Sequence, residues 1–329
     1  MANTQVSYDG ALVYYNNDST TSPFLVTESN TEIYLNSNIS TMFNNCRNLA
    51  MSLDNIGLNH QYVTNMAWAY QHCSNLTGSP VCGPNVTNMA YAYQHCSNLT
   101  GSPVCGPNVT NMAYAYQHCS NLTDSPVCGP NVTNMAYAYL LCSNLTGSPV
   151  CGPNVRCMSR AYLRCSNLTG SPVCGPNVTD MSYAYHSCTN LTGSPVAYNN
   201  VYDGNTYDDK GMAHAYYGCV NLTGNLYLRN PNAIIYHHSN WLRESYHGPF
   251  YDMLGGRGSN PLRINIFVVN NSNTNNVLYN STRYYEDSNT QVTMHHTSIV
   301  GSDNLTWTQN TSNKCYYNTA YNIYCYYTL

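Results

Sequence analysis

Apolar positions recur along the middle of this chain at a fixed step. From Cys73 to His95 the order is CSNLTGSPVCGPNVTNMAYAYQH; it returns from Cys96, drifts from Cys119, Cys142 and Cys165, and takes an altered form from Cys188. The step is 23 residues each time, the mark of an array in which each unit stacks on the last. Leu76, Leu99 and Leu122 fall on one inward column. Met89, Met112 and Met135 fall on another, and Cys73, Cys96, Cys119, Cys142, Cys165 and Cys188 on a third. Val86, Met89, Tyr93 and Cys96 are spaced three, four and three, one face of a short helix that Thr87 or Asn88 caps. Ser79 precedes Pro80 and is pushed towards extended backbone, so Val81 and Cys82 read as a short strand. Gly83-Pro84-Asn85 reads as the turn between them. The predicted fold class is an α/β repeat solenoid whose coils are short strand, turn and short helix.

The pattern has visible limits. Residues 39–49 keep the apolar and Cys positions of a first coil, but Cys46 and Cys73 are 27 apart. Cys188 and Cys219 are 31 apart, which places an insertion near 197–211. The repeat region is thus 39–224. Ahead of it, residues 1–38 contain three strand-like stretches, ALVYY, FLVTE and TEIYL, suited to a β cap or an attachment arm. Behind it, 225–329 reads as a β-rich C-terminal domain through LYLRN, LRINIFVVNN, VLYNSTRYY, QVTMHH, LTWTQN and AYNIYCYYTL.

Composition narrows the chemistry. Charged residues make up 8% of the chain and the net charge is −4, so no basic face for nucleic acid is expected. Disorder is not expected either, because 43% of residues are apolar and they recur at fixed positions. The opening MANTQVSYDGALVYY has neither a basic nor an apolar leader region, and no apolar run nears the roughly 20 residues that span a bilayer. Cytosolic synthesis without general export or membrane insertion is the expectation.

Sixteen cysteines raise the question of bridges or metal. Most fall in the column above or in a second one at Cys82, Cys105, Cys128, Cys151 and Cys174. Coils stacked about 5 Å apart bring equivalent Cα atoms near bridging range, but parallel Cβ vectors oppose it, so buried thiol ladders are expected. There is no CxxC pair for zinc. Asp203, Asn205, Asp208 and Asp209 depart from an EF-hand loop, so a solvated insertion is expected rather than a calcium site. The repeated NLT and NVT are formal glycosylation sequons, but glycans on every coil would crowd. No phosphate loop, nucleophile elbow or HExxH is present. His237, His238, His247, His295 and His296, with Glu244 and Asp252, show no ligand spacing. The expectation is no cofactor, no metal and no catalysis.

The fragment Val86-Thr87-Asn88-Met89, then Ala92, Tyr93, Cys96 and Leu99, resembles the VTxM, MF and CxxL pattern of BspA-like leucine-rich-repeat surface proteins. Met42-Phe43 and Cys46 of the first coil are nearer still. The resemblance covers 39–224 and departs from the family in Tyr for Phe and in the Gly-Pro-Asn turn. YYNTAYNIY near the C-terminus is similar to tails of phage-encoded repeat proteins. The resemblance implies leucine-rich-repeat-like coils in an exposed, non-enzymatic protein. That is a phage virion surface subunit (fibre, tail-tip or head decoration) or, alternatively, a bacterial cell-surface adhesin. Implied partners are other virion proteins and a host-surface protein or glycan, and homo-oligomers are compatible with it.

Two outward columns are candidates for such binding: Tyr91, Tyr114 and Tyr137, and His72, His95 and His118. Tyrosine offers broad amphipathic contact, but the same rings also serve to cover neighbouring coils. The His positions become Leu141, Arg164 and Ser187 further on, which argues against a metal column and for a solvated helix face.

Overall fold

The computed structural model describes residues 33–49, 58–193, 195–198, 211–212 and 214–222, together with the backbone of eleven strands. These are β1 (Asn3–Ser7), β2 (Leu12–Asn16), β3 (Ile33–Tyr34), β4 (Leu58–Asn59), β5 (Val196–Tyr198), β6 (Gly224–Arg229), β7 (Arg263–Val269), β8 (Gln291–His295), β9 (Thr308–Asn310), β10 (Cys315–Asn318) and β11 (Ile323–Tyr326). FLVTE, VLYNSTRYY, most of the 197–211 insertion and the 237–252 His-rich stretch lie outside the described residues. The chain divides into two compact units: Met1–Val155 with Ala161–Leu168, and Arg156–Arg160 with Thr169–Leu329.

In the first unit, 23-residue coils lie directly on one another. Asn65, Asn88, Asn111 and Asn134 pair in parallel from coil to coil, and Asn38 pairs with Asn65 across the longer first step. The N–H groups of Met89, Tyr91, Tyr93 and His95 donate to the carbonyls of Asn111, Ala113, Ala115 and Gln117 in the next coil, at 2.8–2.9 Å. Those of Thr87 and Asn88 donate back to Thr64 in the preceding coil. β3 pairs with β4 in parallel ahead of this ladder, and β1 and β2 form an antiparallel hairpin.

The segment 86–96, expected as a short helix, is not one; no helix occurs among the described residues. Alternate N–H groups leave the coil for its neighbour, and the ones between close tight turns: Ala92 on Met89, Gln94 on Tyr91 and Cys96 on Tyr93. Tyr91 and His95 sit at φ 59° and 62°, in the left-handed region. Two such residues per coil break the run of right-handed backbone that a helix needs. The side chain of Asn88 seeds the first turn by accepting the Ala90 N–H at 3.0 Å. A spacing of three, four and three therefore marks a face of successive turns as well as a face of a helix.

The stretch expected as a strand also differs. Among the described residues, 79–82 and its first-unit copies form no strand. Pro80 has no N–H to give to a ladder, and the backbone of Val81 is taken by a side chain instead. Tyr93 Oη donates to the Val81 carbonyl at 2.6 Å and accepts the Val81 N–H at 3.1 Å. Tyr116, Tyr139 and Tyr162 repeat this on Val104, Val127 and Val150. These four coils are thus each pinned across by a phenol, and both groups of an otherwise unpaired peptide are satisfied.

The core is columnar. Phe43, Tyr70, Tyr93, Tyr116, Tyr139 and Tyr162 stack with centroids 5.2–5.6 Å apart, all fully buried. Leu76, Leu99, Leu122, Met89, Met112 and Met135 are buried beside them. Cys73, Cys96, Cys119, Cys142 and Cys165 are buried free thiols, each donating to the carbonyl of the inner aromatic one coil back, at 2.9–3.0 Å. Gly106 is required by close approach: a Cβ there would lie 2.9 Å from the Gly83 carbonyl oxygen and 3.0 Å from Cys82 Sγ. At Gly101 the backbone is left-handed (φ 78°), and Asp124 takes the same conformation (φ 61°) one coil on.

The second unit holds further coils and one mixed sheet. Tyr185 stacks on Tyr216 at 5.5 Å, and buried Cys188 and Cys219 continue the thiol position there, with Cys219 donating to the Tyr185 carbonyl at 2.9 Å. The sheet runs β5-β6-β7-β8-β11-β10-β9, with the first five strands parallel and the last two antiparallel. Its first strand, Val196–Tyr198, lies where the expected insertion near 197–211 begins, and Val196 bridges in parallel to Val173.

Candidate binding surface

Two ring columns face outward on the first unit. Trp68, Tyr91, Tyr114 and Tyr137 stack at 5.3, 4.4 and 4.3 Å with interplanar angles of 7–11°. His72, His95 and His118 stack at 4.6 and 4.4 Å. The rings are half-buried, with Trp68 the most open at 37% exposure. The sequence placed six of these seven in two columns; Trp68 was missed, although it falls 23 residues before Tyr91.

The local backbone explains why these side chains point outward. Every member of both columns is left-handed, from φ 57° at Trp68 to 62° at His95 and His118. This reverses the chain so that the intervening Ala92 and Tyr93 go to the core. Between the two outward columns runs a ladder of amides. Asn44 donates to Gln71 at 3.0 Å, Gln71 donates to Gln94, and Gln94 donates to Gln117. On another edge Thr87, Thr110 and Thr133 donate to the carbonyl of the equivalent Thr one coil back, each at 3.1 Å. Asn85, Asn108, Asn131 and Asn154 likewise donate to backbone carbonyls of the preceding coil.

Burial sets the electrostatics first, and stacked neighbours add to it at His95 and Tyr114. Burial, then His118, His72 and Arg47, push His95 down to about 4, and burial lowers His72 and His118 as well. Burial disfavours the charged form of all three imidazoles, and at His95 a charge would also sit against His118, His72 and Arg47, so the rings are neutral at pH 7. Burial, then the flanking Tyr137 and Tyr91, raise Tyr114 to about 12. The face is neutral and rich in hydroxyl and imidazole edges. Burial holds the core thiols well above the ordinary range, and the half-buried Cys82 and Cys128 are raised to about 12, again chiefly by burial. Protonated thiols are poor nucleophiles. No group of three or more His, Cys, Asp or Glu is placed to hold a metal among the described residues.

Face-to-face stacking also limits what the outward tyrosines can do. Tyr91 and Tyr114 are covered by a ring on each side, so they present edges and hydroxyls to a partner and not their π faces. In the second unit the same outward turns carry Tyr183 against His214 at 4.5 Å, with the Arg160 guanidinium 4.6 Å over Tyr183. Comparison with family models, with curated proteins and with solved structures finds no match.

Proposed function

We propose that this chain is a non-enzymatic surface protein in which a repeat solenoid presents its outward aromatic face to a host-surface protein or glycan. It is carried on a phage particle as a fibre, tail-tip or head-decoration subunit. The observation that supports this reading is backbone strain at the outward rings. A left-handed conformation costs an ordinary L-residue about 1–2 kcal/mol. Asn and Gly carry it most easily, and they do so at the His95 position in Asn45 (φ 63°) and Gly218 (φ 70°). At the other left-handed position, four residues earlier in the coil, Tyr91, Tyr114 and Tyr137 place bulky rings (φ 59° each). Strain that a cheaper residue would remove is a pointer to use.

Two experiments test the reading. Retention of the purified chain on a panel of bacterial envelope preparations and immobilised glycans checks binding, and retention on none of them counts against it. Mass spectrometry of purified phage particles checks the setting. The VTxM and CxxL similarity favours a bacterial surface adhesin as second reading, and recovery of the chain from a cell envelope rather than from particles decides for it.

A further inference from the structure

Among the described residues, the outward aromatic column has one end where no further ring covers the last face. Trp68 is covered on one side by Tyr91, stacked at 5.3 Å. On its other side the equivalent position is Thr41, exposed and left-handed like the rings below it (φ 60°), but with no ring to offer. The adjoining columns step down at the same coil. His72 is followed by Asn45, and the Gln ladder ends on Asn44. The first coil therefore forms a ledge: a large flat ring behind, and a row of short polar side chains in front.

We propose that this ledge is a carbohydrate subsite in which Trp68 stacks on the apolar C–H face of a pyranose ring. Thr41 and Asn45 meet the sugar hydroxyls. The inference rests on the binding role proposed above and names its ligand class. Three features select a sugar over other flat ligands. The open face belongs to an indole, the largest aromatic surface available, and at 37% exposure Trp68 is among the most exposed large apolar side chains described. The flanking groups are neutral hydrogen-bonding side chains: Thr41 offers a hydroxyl, and Asn45, whose amide nitrogen already donates to Asn44, keeps its carbonyl oxygen to accept. The platform is also rigid, because Trp68 is buttressed by Tyr91 and, behind that, by Tyr114, so little ordering cost falls on binding. Arg47, exposed on the same coil and close enough to help lower His72, adds a cation at the rim for a sugar bearing a carboxylate.

The test is a titration of the full chain with cellohexaose, chitohexaose and xylohexaose, followed by calorimetry and by tryptophan fluorescence. The expected result is saturable binding of at least one, accompanied by a fluorescence change that persists when Trp241 and Trp307 are replaced by Phe. Trp68→Ala weakens it by about tenfold or more, and Trp68→Phe recovers part of the loss. Circular dichroism of each variant separates lost binding from lost fold. If Trp68→Ala binds as tightly as the wild type while Tyr114→Asn is weakened, the column binds but the Trp68 platform is wrong. If none of the three saccharides binds, the subsite is overturned, and retention on the envelope panel then decides the wider reading by itself.

Discussion

Tyr91 and Tyr93 are two residues apart in the same coil and lead opposite lives. Tyr93 belongs to a fully buried column at 5.2–5.6 Å spacing and spends its hydroxyl on Val81. Tyr91 belongs to a half-exposed column that closes to 4.3–4.4 Å between tyrosines, and it sits at φ 59°. The inner ring removes apolar surface from water, fills the coil and satisfies backbone, so every term favours Tyr there. The outer ring gains a stack, worth about 0.5–1.5 kcal/mol beyond burial, against a conformational cost of about 1–2 kcal/mol. These nearly cancel. The comparison teaches that one residue type builds the structure at one position and is close to neutral for stability at the other.

Substitutions can break that contrast. Tyr116→Ala removes a fully buried inner ring and leaves the half-buried Val104 N–H and carbonyl without their phenol partner; a loss of about 3–5 kcal/mol is expected, read as a lower denaturant midpoint. Gly106→Ala drives a methyl against the Gly83 carbonyl, and a loss of about 1–3 kcal/mol is expected by the same measurement. Tyr114→Asn on the outer column is expected to change stability by less than about 1 kcal/mol, because the relief of strain offsets the lost stack. A loss there as large as that of Tyr116→Ala would erase the distinction between the columns.

The smallest expected effect is on pH. His95 is held near 4 when folded, against an ordinary 6.5, so the unfolded chain binds more protons between those values. Stability is therefore full above about pH 6.5 and falls as pH drops towards 4. The groups acting on His95 are His118, His72 and Arg47, and buried His60, also lowered to about 4, adds to the same slope. His95→Asn, which adopts the residue type found at Asn45, is expected to flatten part of the slope in melting temperature between pH 7 and pH 4.5. An unchanged slope would place the proton uptake elsewhere.

The sequence made the column structure legible because a 23-residue step puts like on like. The inward set of Leu, Met and Cys and the outward Tyr and His could be assigned from that alone. The backbone between them could not. A turn closed by i to i+3 bonds and a helix share nearly the same inward spacing, and only the left-handed residues separate them; a Tyr or His in such a conformation carries no sequence signature. The phenol clamp on Val81 was hidden for a similar reason, since the partner lies 12 residues away across the coil. Trp68 was visible in register but lies in a coil that follows an irregular step, where the alignment of columns is least obvious.

The central claim is that the outward aromatics are kept for contact at no gain in stability. The most direct test is the triple variant Tyr91→Asn, Tyr114→Asn and Tyr137→Asn, measured for both denaturant midpoint and retention on the envelope and glycan panel that holds the wild type. The account predicts a midpoint equal to or above the wild type, with retention weakened about tenfold or more. A markedly lower midpoint with retention unchanged would contradict it and make the outer column part of the scaffold.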